Sequence, residues 1–373
     1  MTVVVTGLGL ISALGQSTVN TWQQLLSSNC AIALRQPFPE IPLCPLAMLG
    51  KRPSRLDALL LQATEMALSD AELPAMLPDC GVVVGSSRGH QALWEQFLSH
   101  QEIDDWISSL PHMGAIAVAR KMGCRGPVLA PMAACATGLW AIAQGADLIR
   151  TGQCDRVLVG AGEAAITPLA LTGFQQMRAL AQTGCYPFDQ QREGLVLGEG
   201  AAVLVLETAS TARARSARIY GAVLGAGLTA DANHVTAPDA ASHQGGRDAI
   251  TTCLHRSGLL PEDIDFIHAH GTGTRLNDAY ETTLIQEVFP PQVWVTSTKG
   301  ATGHTLGASG AIGAVVTLLA LHHQILPPCV GLQTPAFDLN LVRQAQAANL
   351  ANALCFSFGF GGQNAVIAFR RHP

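Results

Sequence analysis

Short runs of β-branched and small apolar residues alternate along this chain with longer runs in which leucine and alanine recur at helical spacing. In the first half "VVVTG" (3–7), "CGVVVGSS" (80–87) and "RVLVGAG" (156–162) read as strands, and "LDALLLQATEMALSDA" (56–71) as a helix. Strands with no polar alternation are buried on both faces, and their alternation with helices predicts an α/β fold. The second half repeats the scheme. "ARIYGAVLGAG" (217–227) and "IDFIHAHGTGT" (264–274) are predicted strands, "QGGRDAITTCLHRSG" (244–258) and residues 307–323 are predicted helices, and "ALCFSFGFGGQNAVIAF" (353–369) is a predicted closing hairpin. Between the halves, "ETASTARARSAR" (207–218) is polar and lacks large apolar side chains, which places a boundary between 1–207 and 208–373. No unit of solenoid or propeller length recurs.

Composition sharpens this picture. The chain is 48% hydrophobic and 13% charged, against about 25% charged in an average globular protein, so part of its surface is expected to be buried against another subunit. The formal net charge of -5, with no basic run, argues against nucleic-acid binding. Cysteines stand at 30, 44, 80, 124, 135, 154, 185, 253, 329 and 355 with no CxxC pair, so neither a zinc site nor a dithiol motif is indicated. "MTVVVTGLGLISALG" opens as a strand entering a glycine turn and has no basic leader, and the cytoplasm is the expected compartment. The most apolar stretch, "LGASGAIGAVVTLLALHHQ", reaches two histidines before the roughly 20 residues of a membrane span. It predicts a buried helix.

Candidate chemistry centres on "APMAACATGLWAIAQGADLIRTG" (130–152), where Cys135 precedes a predicted helix of about four turns that stops at Thr151 and Gly152. At a helix N-terminus the macrodipole and free N–H groups favour thiolate and bind oxyanions. Taken alone, Cys135 reads as a small buried hydrophobe, since small buried cysteines are common. Two later segments, "HAHGTGTRLNDAYET" from 268 and "STKGATGHTLGASG" from 297, each set a histidine beside glycine and threonine in a strand-end loop, where backbone approaches a ligand closely.

Cys135, His270, His304 and the ending "FSFGFGGQNA", with "GPVLAPMAACATG", "PFDQQREGLVLGEGAAVLVLE" and "DANHVTAPD" in the same order, resemble the thiolase-fold condensing enzymes, specifically the β-ketoacyl-acyl-carrier-protein synthases of the Cys-His-His class. Initiating synthases, which carry asparagine in place of the second histidine, and thiolases, which carry a second catalytic cysteine, fit less well. The resemblance implies a thiolase-like fold: two similar βαβαβαββ halves forming a five-layered α-β-α-β-α core. It implies acyl transfer to Cys135, loss of carbon dioxide from a malonyl thioester, and two-carbon extension of a fatty-acid or polyketide chain. It gives Cys135 and Phe360 amides as the oxyanion hole, His270 and His304 as enolate donors, and Lys299 as a partner of Glu281. Phe358, Phe360 and Gly361 are the implied gate, and Thr272 and Thr274 the pantetheine contacts. Lys51 and Arg55 are the implied docking site for an acidic acyl carrier protein, and Asp189, Arg192, Asp231, Thr236 and Asp278 supports of the pocket. No metal or redox cofactor is implied, since substrates travel on the carrier's phosphopantetheine. The expected assembly is a homodimer, or a heterodimer with a ketosynthase-like chain-length factor.

Two departures from the family stand out. Many relatives have glutamate where this chain has Gly313, and residues 30–55 and 86–125 are short of the usual length. Compact synthases of this sort resemble those of aryl-polyene pathways. A different class of function, a non-catalytic chain-length-factor-like subunit, needs no nucleophilic cysteine.

Overall fold

The computed structural model describes residues 1–100 and 106–372. Besides two small two-stranded sheets, its strands form one large sheet made of two five-stranded units of one topology. The first unit contains β1 (Val3–Ser12), β2 (Gly81–Gly85), β3 (Val128–Leu129), β4 (Arg156–Glu163) and β5 (Gly200–Thr208). The second contains β6 (Gly221–Ala230), β7 (Phe266–His268), β8 (Trp294–Thr296), β10 (Asn352–Gly359) and β11 (Gln363–Arg371), with the short β9 (Asn340–Leu341) added at its edge. Their spatial order is β9-β8-β7-β10-β11-β6-β1-β5-β4-β2-β3. Reading outward from the centre, each unit pairs antiparallel twice and then parallel twice. The halves meet where Val3, Val4 and Val5 pair with Val223, Ala222 and Gly221.

Five layers follow from which strand face each helix covers. Helices α1 (Leu56–Asp70) and α2 (Met113–Met122) cover one face of the first unit, burying Leu60, Ala63 and Val118 against Val82, Val84, Leu158 and Val203. The alternate residues Val83, Val157, Val159 and Leu204 point to the opposite face, as the two-residue period of a strand requires. There α3 (Thr137–Arg150) and α6 (Ser309–His323) form the middle layer. Beyond the second unit, α4 (Gln244–Ser257) and α5 (Arg275–Val288) bury Ile250, Tyr280 and Leu284 against Leu354, Phe356 and Val366.

The two central helices touch through glycine. A Cβ at Gly138 would lie 2.4 Å from the Ala311 nitrogen, and one at Gly310 would lie 3.0 Å from Leu139. Their N-termini therefore start side by side. The apolar run at 306–323 is long and apolar enough for a membrane span, but 89% of it is buried in the protein; it is the core helix its sequence predicts. The polar segment at 207–218 is docked onto the first half. It contains a short helix, Ala209–Ala214, and Arg215 binds the buried Glu207 carboxylate, at 2.6 Å, and the Ala71 carbonyl, also at 2.6 Å.

Candidate active site

Cys135 lies in a single 3-10 turn, Ala134–Ala136, that feeds α3, so the regular helix begins two residues later, at Thr137. The turn is tight. Ala134 has φ +47°, a left-handed conformation unusual for alanine. Two hydroxyls hold it: Thr137 Oγ1 accepts from the Ala133 amide at 2.9 Å and donates to the Ala134 carbonyl at 2.7 Å, while Ser357 donates to the Cys135 carbonyl at 2.8 Å.

The two histidines arrive from the second half, after neighbouring parallel strands, with a short helix, Lys299–Thr302, between β8 and His304. His270 follows β7, and the Glu281 carboxylate of α5 accepts the His270 and Gly271 amides at 2.5 and 2.7 Å. His304 precedes α6, and its backbone is pinned by bonds to the Val196 carbonyl (2.6 Å) and from the Gly198 amide (3.0 Å). Its Nε2 stands 3.1 Å from the Cys135 sulfur, and its Nδ1 stands 2.9 Å from the Ser309 hydroxyl. The two rings are 5.4 Å apart, edge to face. Lys299 Nζ bonds the His270 carbonyl and stands 3.5 Å from His270 Nδ1. An ammonium facing Nδ1 makes that atom the acceptor and leaves the proton on Nε2.

Burial governs the charges here. It holds both His270 and His304 well below the ordinary histidine range, with the Lys299 charge acting in the same direction. Burial also pushes the Cys135 thiol up to about 11, against the opposing influence of Lys299 and the Phe360 amide. A thiolate favoured by the helix terminus is the sequence expectation, and burial acts against it in the resting site. Both imidazoles and the thiol are therefore neutral at pH 7.

Two cavities meet at Cys135. One, of about 290 Å³, reaches it past His270, His304, Thr272 and Thr274; the other, of about 750 Å³, continues beside Phe174 and Leu306. Phe360 lines both, so its ring stands between them.

Comparison with known proteins now decides the family. The profile of the β-ketoacyl synthase N-terminal domain matches residues 50–212, and that of the β-ketoacyl synthase C-terminal domain matches residues 220–333. The chain belongs to the β-ketoacyl synthase family. It is 32% identical to 3-oxoacyl-[acyl-carrier-protein] synthase 2 of Staphylococcus aureus (strain COL), over 99% of this chain and 98% of the relative. It is 33% identical to the Vibrio cholerae protein of the same description, over 99% of each. Among solved structures it resembles the ishigamide ketosynthase/chain length factor, at 30% identity and TM-score 0.91, covering 100% of this chain and 99% of that one. It also resembles the AntDE:AntF assembly, a type II polyketide ketosynthase with its acyl-carrier protein, at 28% identity and TM-score 0.93, with the same coverage.

Within this β-ketoacyl synthase several sequence expectations need correction. Lys299 makes no ion pair with Glu281: the carboxylate is taken by two backbone amides and the ammonium by the His270 carbonyl. Glu281 and Lys299 thus secure the same loop through different atoms, and burial raises the Glu281 carboxyl to about 7. Of the implied gate residues, Phe358 and Phe360 are packed differently. Phe358 is 8% exposed and wedged edge-on against His270 and Tyr280, whereas Phe360 is only partly buried, has its ring 6.1 Å from that of Phe174, and is followed by Gly361 at φ +77°. Lys51 and Arg55 are exposed but line neither cavity. The bases at the mouth are Arg178 and Arg275, which sequence reasoning missed. Ser54, between the docking candidates, binds Glu199 through its amide (2.8 Å) and hydroxyl (2.9 Å).

Thr272 and Thr274 share a hydroxyl contact of 2.9 Å in the access cavity, and Asp231 and Thr236 line the same cavity. Asp278 accepts the Phe188 amide at 2.8 Å, and Asp189 accepts the Gln333 and Thr334 amides at 2.7 and 2.6 Å. Arg192 lies over the Phe337 ring, 4.5 Å from its centroid.

Gly313 has a physical reason of its own. A Cβ there would lie 2.8 Å from the His268 ring and 3.0 Å from the Cys355 sulfur. The room beside Lys299 is thus filled by a neutral imidazole, its pKa lowered to about 3 by burial and by the lysine charge, with Nε2 unpaired. His268 and Ser309 are the residues here that motif reading passed over. Both lie inside the two histidine segments quoted above, where the motif reading gave a role only to His270, Lys299 and His304 among their immediate neighbours.

Proposed function

We propose that this chain carries out decarboxylative Claisen condensation: it accepts an acyl group on Cys135 and joins it to malonyl-acyl-carrier protein, lengthening the chain by two carbons. The observation that carries this reading is the contact between the Cys135 sulfur and His304 Nε2, with His270 beside it, where two cavities meet.

In the first half-reaction a carrier-bound thioester enters past Thr272 and Thr274. The Cys135 sulfur attacks its carbonyl carbon while His304 Nε2 takes the thiol proton and passes it to the departing carrier thiol. The neutral resting thiol suits this order, because proton removal is coupled to attack. The tetrahedral oxyanion lies between the Cys135 and Phe360 amides. Gly359 approaches closely enough for this: a Cβ there would be 3.0 Å from the Cys135 nitrogen.

In the second, the malonyl thioester loses carbon dioxide and leaves an enolate. His270, whose Nε2 proton is fixed by Lys299, and His304 each turn an N–H to the enolate oxygen. The Ser309 hydroxyl supports either tautomer of His304, since it donates or accepts. The enolate carbon then attacks the acyl carbonyl, and the sulfur–carbon bond breaks to release Cys135 as a thiolate, which regains its proton from water. This chemistry uses no metal or redox cofactor. The thiol and the two imidazoles lie within 4.8 Å of one another, a spacing that would also suit a cation, so retained activity after chelation tests the point.

The relatives' assemblies support the partners: AntDE:AntF holds an acyl-carrier protein, and the ketosynthase ApeO is complexed with its chain length factor ApeC. We place a carrier protein over the mouth near Arg178 and Arg275, with Lys51 and Arg55 on its approach. Strand β3 ends the sheet with an unpaired edge beside exposed Leu129 and Met132, which favours pairing with a second chain of this fold, either a copy or a chain-length factor. Ten free cysteines fit a reducing cytoplasm.

Intact-mass analysis tests the reading. Incubation with acyl carrier protein thioesters should add one acyl group, and Cys135→Ala should abolish both the adduct and elongation while the protein stays folded. Elongation by Cys135→Ala would overturn it.

A further inference from the structure

The larger cavity is poorly suited to a plain hydrocarbon chain. Leu169, Phe174 and Met132 supply apolar wall, yet Ser87, Arg88 and Gln91 line it as well. Arg88 is exposed in the single chain, and an alkyl chain laid against its guanidinium would displace water and offer no hydrogen bond in exchange.

This polar wall is built. Glu163, wholly buried, accepts from the Ser86 hydroxyl (2.9 Å), from the Ser87 amide (2.9 Å) and hydroxyl (2.5 Å), and from the Gly307 amide (3.0 Å). The Gly89 amide closes the loop onto Ser86 Oγ at 3.0 Å. The backbone on both sides of Arg88 is therefore fixed to the Leu306–Ala308 turn that leads into α6. The guanidinium lies over the Phe174 ring, 5.7 Å from its centroid, and has no hydrogen bond or ion pair among the described residues. Glu95, which sits on the same side, is occupied by Gln91 (2.6 Å) and the Leu169 amide (3.0 Å). The Arg88 charge acts on the Cys135 thiol, which puts it in the same electrostatic neighbourhood.

We propose that Arg88 is a specificity-determining residue that selects acyl chains carrying a carboxylate beyond the thioester. This rests on the acyl-enzyme reading above. The planar fork of arginine matches a carboxylate in two parallel bonds, and Phe174 holds its face. The distal carboxylate takes no part in bond making. Acyl transfer is unchanged: the sulfur–carbon bond to Cys135 forms, the carrier's thioester bond breaks, and the proton leaves with the carrier thiol.

The test is the rate of Cys135 acylation, read by rapid-quench intact mass, with carrier proteins bearing matched pairs: succinyl against butyryl, adipoyl against hexanoyl, suberoyl against octanoyl. At the best-fitting length the carboxyacyl member should load about tenfold faster or more. Arg88→Met should remove that preference, and Arg88→Lys should keep part of it, as a point charge without the fork. Faster or equal loading of the alkyl member at every length by the native protein overturns the proposal. So does a preference that survives in Arg88→Met. An Arg88→Met variant that keeps the preference but dissociates from a partner chain in sedimentation would make Arg88 a subunit contact instead. If alkyl and carboxyacyl chains both load, the acyl-enzyme reading stands whatever their ratio; if no chain of either kind loads, both readings fall together.

Discussion

His304 Nε2 stands 3.1 Å from the Cys135 sulfur, although 169 residues separate them in the chain. His270 is held from the other side, by Lys299 at its carbonyl and Glu281 at its amide. The two histidines are therefore not equivalent, and their loss should be told apart by half-reaction.

His270→Ala should cut malonyl decarboxylation by about two to three powers of ten while leaving acyl loading near the native rate, because His270 donates only to the enolate. His304→Ala should impair both. Rapid-quench acylation and carbon dioxide release, measured separately, check this; equal loss of loading in the two variants would remove the distinction.

The resting thiol, pushed up to about 11 by burial, fixes a pH dependence. A raised pKa favours the protonated form, so the thiolate fraction climbs about tenfold per pH unit below that value. Iodoacetamide alkylation of Cys135 should rise log-linearly from about pH 6 to about pH 10. A plateau near neutrality would mean a preformed thiolate and would contradict burial as the controlling factor.

Two glycines flank Phe360 for different reasons. Alanine at Gly359 would bring Cβ within 2.9 Å of the Ala133 carbonyl, so Gly359→Ala should displace the nucleophile turn and depress every step. At Gly361 a Cβ meets nothing within 4 Å, but φ is +77°, so Gly361→Val strains the backbone, by about 1–2 kcal/mol. It should slow acyl loading through the Phe360 swing and spare thermal stability in comparison. Unchanged loading by Gly361→Val in rapid-mix measurements would argue for a static loop.

Docking should be electrostatic. The chain carries a net charge of -5, so an acidic carrier needs local bases, and Lys51, Arg55, Arg178 and Arg275 are exposed. Lys51→Glu/Arg55→Glu should raise KM for carrier-bound substrate steeply at low salt, with the difference shrinking as salt rises. A short pantetheine thioester should react as before. An equal loss for both substrates would place the damage in the fold; an unaffected KM would leave docking to Arg178 and Arg275.

What the sequence determined by itself is local or patterned. Uninterrupted valine runs specified buried strands, and the stop of α3 at Gly152, where φ is +74°, followed from glycine's freedom in the left-handed region. The placement of Cys135 at the start of a helix, and of two histidines after strands, was equally legible, because motif and element coincide there. The tertiary structure decided what depends on distant residues meeting. Only packing shows that Lys299 bonds the His270 carbonyl instead of Glu281, that Phe358 is wedged while Phe360 is not, or that His268 fills the space beside Gly313. The same holds for the Cys135 thiol. Its helix position argues for thiolate, burial by both halves of the molecule argues against it, and no local stretch of sequence encodes how completely a side chain is taken out of water.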